Sequence, residues 1–340
     1  MAYKRIVLAT DGSPSAETAE HVAATLARAV KGRITVAHAY TSPTKVEEAV
    51  ARALRICDRE GVKASVETSP ESPGPAIVEI ADRTSAELIV TGSRGLFKAE
   101  QVIGSVAKRV AQHAPCDVLL TRERPEDTRP HGAVPYRRIL IATDGSATAD
   151  RAARKGYALA KRLGASITLC FVGHPRTGEL VLSDTASTIG EGEPVGMLIL
   201  EGDPARMIIE AAGREGLDLI VVGNKGMTGA RALLLGSIPK EIAEYAPTDV
   251  LIARTVAQNL SEIGRGEGGI VKVGDHAAAV YRAEDGTLTV LSARCTHMGC
   301  TVRWNPAGRT WDCPCHGSRF APTGEVVDGP ADEPLAPTSL

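Results

Sequence analysis

The strongest constraint on this chain is that its first 255 residues are one unit written twice. KRIVLATDGS (4–13) returns as RRILIATDGS (137–146), an offset of 133. APCDVLLTR (114–122) returns as APTDVLIAR (246–254), an offset of 132, and ELIVTGSRG (87–95) is answered by DLIVVGNKG (218–226). Three matched segments in the same order at near-constant spacing mean a tandem domain duplication. Whatever fold one copy adopts, the other must be able to adopt too.

Within each copy, short Val/Ile-rich runs alternate with helical spacing. In the first, Ile6–Ala9 and Ile34–Tyr40 read as strands on either side of a helix from Ala16 to Val30. A helix over Thr44–Glu60, a strand over Val62–Glu67 and a helix over Gly74–Thr84 follow. The copy closes with a strand at Leu88–Thr91, a helix at Gly104–His113 and a strand at Asp117–Thr121. Buried strands alternating with helices predict two α/β domains, each a doubly wound parallel sheet of Rossmann type. In the second copy a Gly/Ser/Thr-rich segment, 175–196, stands where the first has Thr44–Glu60, and its helix is expected to be short or partly irregular. The Arg/Glu/Pro run 122–136 reads as a solvated linker. Domain limits follow at 1–124, 125–135 (linker) and 136–255, with a third domain at 258–340.

Bulk properties exclude more than they assign. A formal charge of −2 offers no footprint for nucleic acid or an anionic membrane. No apolar run approaches 18 residues, and the four apolar residues before Asp11 are too few for a signal peptide. The expectation is a cytoplasmic protein, where clustered cysteines mean metal or redox chemistry more often than a disulfide framework.

The second copy carries Gly223-Asn-Lys-Gly226, nine residues, then Gly236-Ser237. Glycines directly after a buried strand let the backbone turn tightly and approach a ligand. A Gly-Ser that opens a helix presents free N–H groups and a favourable dipole to phosphate. Ligands of open parallel sheets sit beyond the carboxyl ends of the strands. Asp144, just after the first strand, is placed to accept from a ribose hydroxyl or to help hold a metal-bound phosphate. Both copies resemble universal stress protein domains, whose nucleotide-binding members carry G-x2-G-x9-G-S/T. The resemblance implies an adenine nucleotide, ATP above all, with or without Mg2+. It assigns the aspartate to Asp11 and Asp144, and an adenine-side backbone contact to Ala39 and Val172. In the first copy Gly92-Ser-Arg-Gly95 is followed by eight residues, then Gly104-Ser105. One residue fewer must span the triphosphate, so the second site ranks above the first. No G-x4-G-K-S/T loop and no paired nucleophile and base appear, so no catalytic residue is assigned and ATP hydrolysis is at most slow.

After Arg254 the pattern changes to short β elements at Ile270–Val273, Ala277–Arg282 and Thr287–Leu291, with Asp285-Gly286 as a hairpin turn. Four of the chain's seven cysteines crowd into CTHMGC (295–300) and CPCHGS (313–318). Cys295 with His297, and Cys313 with His316, supply two thiolates and two imidazoles. That donor set suits either a Cys2His2 zinc site or a two-iron cluster. The zinc reading leaves Cys300 and Cys315 without a role.

This segment resembles the Rieske [2Fe–2S] domain, an all-β fold, from GEGGIVKVGDHAAAVYRAEDG to CPCHGSRFAPTGEVVDGPADEPL. The resemblance implies that Cys295 and Cys313 hold one iron and His297 and His316 the other. It assigns Cys300 and Cys315 to a disulfide found in forms resembling the quinol-oxidising complexes. Ser318 matches a serine that hydrogen-bonds a bridging sulfide, and Gly329-Pro330-Ala331 a loop that covers the cluster. Phe320 stands where high-potential forms have tyrosine, which implies an intermediate potential. The 24 residues after His316 leave no room for the mononuclear-iron domain of an oxygenase, so a soluble one-electron carrier or redox sensor is expected. The whole reads as a redox-linked stress protein with the two copies packed as an internal pseudo-dimer. The alternative is an electron-transfer component whose duplicated domains are only an assembly platform. Expected partners are an adenine nucleotide and a redox partner protein of unknown identity. A homodimer is compatible with the resemblance; nucleic acid and membrane are not expected. Cys57, Cys116 and Cys170 read as buried structural thiols.

Overall fold

A computed structural model of the chain describes residues 3–13, 16–40, 46–93, 103–123, 133–190, 195–224, 235–254, 260, 263–273, 276–305, 308–313 and 317–340. Two compact units divide it, the first holding Met1–Gly226 and Leu235–Arg254, the second Thr255–Leu340. None of the described helices is long and apolar enough to cross a membrane.

The first copy runs β1 (Arg5–Ala9), α1 (Glu17–Val30), β2 (Arg33–Ala39), α2 (Val46–Arg59), β3 (Ala64–Ser69), α3 (Pro73–Arg83), β4 (Leu88–Gly92), α4 (Ser105–His113) and β5 (Asp117–Thr121). The second runs β6 (Arg138–Ala142), α5 (Ala147–Leu163), β7 (Ser166–Val172), α6 (Pro175–Ile189), β8 (Gly196–Leu200), α7 (Pro204–Arg214), β9 (Leu219–Gly223), α8 (Ser237–Tyr245) and β10 (Asp249–Ala253). All ten strands join one sheet, in the order β3-β2-β1-β4-β5-β10-β9-β6-β7-β8. Neighbours are parallel within each copy, and the copies meet where β5 and β10 pair antiparallel through Leu119 and Leu251. Alternate residues of each strand therefore feed opposite layers. Ile6, Leu8, Ile139 and Ile141 pack with α1, α2, α5 and α6, while Val7, Leu140, Val118 and Val250 pack with α3, α4, α7 and α8.

Two expectations are corrected. The Gly/Ser/Thr-rich segment forms a full helix, α6, of 15 residues. His174 caps it by accepting from the Arg176 N–H, Pro175 takes the first turn, and Gly178, Leu182, Thr185 and Ile189 form its buried stripe. Gly178 is there for contact: a Cβ would stand 2.9 Å from Ile199 and 3.0 Å from Phe171. Tertiary packing overrides the low helix propensity of its composition. Second, the run 122–136 is not solvated at its ends. Tyr136 is fully buried and donates to Asp249 Oδ2 at 2.8 Å, and Arg122 reaches into the other copy. Residues 124–132 lie outside the described residues.

In the second unit, β11 (Glu267–Val273), β12 (His276–Arg282) and β13 (Leu288–Ser292) form one antiparallel sheet. The other sheet is β14 (Arg303–Asn305), β15 (Thr310–Asp312), β16 (Arg319–Phe320) and β17 (Val326–Asp328). The chain has only two tryptophans, and both are here: Trp304 and Trp311 meet edge to face at 4.9 Å, with Tyr281 5.2 Å from Trp304. Gly268 admits Trp304, since a Cβ there would stand 2.5 Å from the indole. This core also takes in Phe320, Cys295 and Cys313.

Candidate functional sites

In each copy the first strand is flanked on both sides, β1 by β2 and β4, and β6 by β7 and β9. This reversal of strand order is where an open parallel sheet leaves a crevice at its carboxyl edge. Register Ala9↔Thr91 brings Thr10 level with Gly92, the last residue of β4, with Asp11 one place beyond. Gly223 likewise ends β9, beside the strand that leads to Asp144. Gly12 and Gly145 have φ of +72° and +76°, which L side chains rarely adopt, so the chain turns at once. The Ser13 N–H then donates to Asp11 Oδ1, and the Ser146 N–H and hydroxyl donate to Asp144 Oδ1 at 3.0 and 2.6 Å. Gly104 and Gly236 are the N-caps of α4 and α8, with Ser105 and Ser237 as first helical residues. The Gly104 N–H donates to Ser93 O (2.8 Å) and the Gly236 N–H to Asn224 O (3.0 Å), so each Gly-Ser is tied to the strand-end loop. Ala39 and Val172 end β2 and β7, half-buried. Gly95 and Gly226 lie outside the described residues.

The supports beneath these loops differ between copies and were not singled out in the sequence. In the first, Glu20 is wholly buried; Thr10 Oγ1 donates to its Oε1 at 2.6 Å and Arg52 Nε to its Oε2 at 2.6 Å. Arg52 Nη2 also donates to Ser13 O at 2.7 Å, clamping the Asp11 loop. In the second copy Ala153 stands at the position of Glu20, and Thr143 meets the Thr185 hydroxyl at 3.3 Å. Where the copies join, the buried Asp117 accepts from Tyr3 Oη (2.8 Å) and the Arg254 N–H (2.7 Å). Asp249 accepts from Tyr136 Oη (2.8 Å) and the Arg122 N–H (2.8 Å). Lys155 adds 2.8 Å bonds to Asp117 and to Arg254 O; its counterpart in the first copy is Val22. The signal that could have found Tyr3/Tyr136, Asp117/Asp249 and Arg122/Arg254 was their identity at the repeat offset, outside the glycine motif.

The two cysteine loops of the second unit share one design. The Cys295 N–H donates to Cys300 O and the Gly299 N–H to Cys295 O, both at 2.8 Å. Similarly, the Cys313 N–H donates to Ser318 O (2.7 Å) and the Gly317 N–H to Cys313 O (3.1 Å). The fifth residue of each loop needs positive φ, +71° at Gly299 and +81° at Gly317, hence glycine. Cys295 and Cys313 are buried, free thiols, whereas His297 and Met298 are exposed. Thus the first thiol of each loop faces the core and the imidazole of the first faces out. Cys300 is a half-cystine. Ser318 is fully buried and its Oγ accepts from the Ala331 N–H at 3.2 Å, while Thr296 Oγ1 donates to Glu333 O at 2.7 Å. Gly329 fits against Ser318, whose Cα would lie 2.6 Å from a Cβ there. The 329–333 segment is thereby fastened to both loops. Cys315 and His316 lie outside the described residues, and among the described residues no three His, Cys, Asp or Glu side chains form a metal-holding group.

Comparison with known proteins agrees with these features. The universal stress protein family profile matches residues 2–54, 41–122, 135–189 and 176–254, and the Rieske [2Fe-2S] domain profile matches 253–338. The fold is similar to that of a universal stress protein from Archaeoglobus fulgidus DSM 4304, with TM-score 0.60 and 20% identity over 75% of this chain and 100% of that one. The C-terminal segment is 51% identical over 79 residues to YhfW of Bacillus subtilis (strain 168), named as a Rieske 2Fe-2S iron-sulfur protein. It is 56% identical over 54 residues to the cytochrome b6-f complex iron-sulfur subunit 3 of Nostoc sp.. These matches span 23% and 15% of this chain, and only 16% and 30% of those relatives. The chain belongs to the universal stress protein family. More particularly, it is a tandem pair of such domains fused to a C-terminal Rieske [2Fe-2S] domain.

Proposed function

We propose that the chain is a redox-linked stress protein, in which two adenine-nucleotide-binding domains (1–124 and 136–255) carry a one-electron Rieske module (258–340) in the cytoplasm. The observation that supports the cluster reading best is the matched pair of turns, which gives two buried free thiols the same backbone setting. Cys295 and Cys313 would hold one iron and His297 and His316 the other; the group supplies one-electron transfer at a potential above that of all-cysteine clusters. Cys300 would pair with Cys315 and lock the loops together. Ser318 accepts from Ala331, so its hydroxyl proton is directed away from that bond, available to a sulfide. Buried Phe320 has no hydroxyl to offer, which lowers the potential relative to a tyrosine. Purified protein should contain about two irons and two sulfides per chain; a colourless zinc protein would sink the reading. Phe320→Tyr should raise the midpoint by about 40 mV, one net hydrogen bond of about 1 kcal/mol, read by redox titration.

Support for nucleotide comes from the convergence of Asp144, Gly223 and Gly236-Ser237 at the strand-reversal crevice, repeated by Asp11, Gly92 and Gly104-Ser105. Asp144→Ala should abolish most ATP binding in calorimetry and Asp11→Ala a smaller part, because the second frame has the longer loop. An absence of binding to the wild type would leave the duplicated domains as an assembly platform for the cluster. A redox titration with and without ATP tests whether the two functions communicate.

A further inference from the structure

The two glycine frames are connected through each other's last helix, and the connection is made twice. In the first copy the Gly104 N–H donates to Ser93 O and the Ser93 N–H donates to Thr121 O at 2.9 Å. The next residue, Arg122, then crosses to the other copy. Its Nη2 donates to Ala243 O at 2.6 Å, one of the carbonyls left without a helical partner at the end of α8. The opposite end of α8 is Gly236-Ser237, the second frame. The second copy returns the contact. The Asn224 N–H donates to Ala253 O at 2.9 Å, and Arg254 Nη2 donates to Gln112 O at 3.3 Å, at the end of the helix that opens at Gly104-Ser105. Asp249 and Asp117 hold the backbone N–H groups of the two arginines, so neither guanidinium is carried on a loose chain.

We infer that Arg122 and Arg254 are positioning residues that each set the phosphate-facing helix of the opposite copy, so that filling one frame changes affinity at the other. The inference rests on the nucleotide reading above. A nine-residue helix is a rod of about 13 Å, short enough for a fixed end to fix the other. A guanidinium on its last carbonyls also complements the dipole whose positive end faces the ligand. A ligand that shifts Ser93 moves Thr121 and, with it, the arginine that holds α8. The reverse path runs through Asn224, Ala253 and α4.

The test is crossed. ATP binding to the full chain is titrated with Asp11→Ala, which isolates the second frame, and with Asp144→Ala, which isolates the first. Arg122→Gln should weaken the second frame about three- to tenfold, a fraction of what one lost charged hydrogen bond is worth because the arginine acts on the ligand only through α8, and leave the first unchanged. Arg254→Gln should do the converse, with a smaller effect to match its longer bond. Arg122→Lys should restore part of the loss. Equal weakening of both frames, or weakening confined to the arginine's own copy, overturns the inference. Amide exchange without nucleotide gives an independent readout: Arg122→Gln should speed exchange in 236–245 and spare 104–113. If the wild type binds no ATP but this crossed exchange appears, the nucleotide reading fails while the cross-copy hold stands. If the exchange is uniform or absent, the hold itself is wrong.

Discussion

The two copies share a strand order and a glycine frame but support the same loop by different means. The first clamps its Asp11 loop with an ion pair between the half-buried Arg52 and the wholly buried Glu20, braced by Thr10 and Ser13. The second has Ala153 at the glutamate position and meets the need with two threonine hydroxyls and the Ser146–Asp144 bonds. At the junction the asymmetry reverses, for Lys155 reinforces Asp117 from the second copy while Val22 takes that place in the first. The difference teaches that the frame's position is dictated by the sheet, whereas the rigidity of its loop is a local property each copy has settled separately. A charge clamp also makes the first loop less tolerant of loss, since removing Arg52 strands the buried Glu20 carboxylate away from water.

Removing the clamp should therefore give the largest effect. Arg52→Ala is expected to destabilise the chain by about 3 kcal/mol, the low end for stranding a buried charge because Arg52 itself is only half-buried, and Thr185→Ala by about 1 kcal/mol, measured by urea denaturation. Comparable losses would erase the distinction between the copies. Lys155→Met comes next. It leaves buried Asp117 with Tyr3 and one backbone N–H, at about 2 kcal/mol, whereas Val22→Ala should act only as an ordinary cavity. A third effect depends on pH. Burial, and then the Asp117 carboxylate, raises the Tyr3 phenol well above its usual value. The unfolded phenol ionises near pH ~10 while the folded one keeps its proton, so this contribution is complete below pH ~10 and is lost as pH rises beyond it. Denaturation midpoints at pH 9 and 11 should fall more steeply in the wild type than in Tyr3→Phe. The smallest effect concerns thiols that only one copy has: Cys116 faces Thr248 at its matched position, and Cys170 faces Ala37. Burial pushes Cys170 up to about 12 and Cys57 to about 11, and raises Cys116 as well. All three should resist alkylation of the folded protein at pH 8, and labelling of any of them by mass spectrometry would show that its copy opens.

Much of this fold was legible because the repeat, the Val/Ile strands and the strand-end glycines are local signals. β5 falls at the predicted Asp117–Thr121, and Gly104 caps α4 as its place before Ser105 suggested. What escaped was set by tertiary contact. Helix α6 exists because Leu182, Thr185 and Ile189 find a core and Gly178 fits against Phe171 and Ile199, which composition does not reveal. Arg122 and Tyr136 looked like linker because their partners, Ala243 and Asp249, lie more than 110 residues away. In the cysteine loops, residue type and spacing pointed to the candidate donors. The bond from Ala331 to Ser318 and the anchoring of Thr296 on Glu333 needed coordinates, since nothing in the 329–333 sequence says which oxygen it will meet.

The antiparallel pairing of β5 with β10 has a consequence for stoichiometry. Two halves that meet along an edge strand would, as separate polypeptides, come apart on dilution; covalent linkage makes their meeting unimolecular, at an effective concentration in the millimolar range. Melting of the ten-stranded unit should not depend on protein concentration through this seam. Each chain therefore presents two frames for every cluster-loop pair, a ratio that expression level cannot alter, and among the described strands β3 and β8 are the edges of that sheet left for further partners.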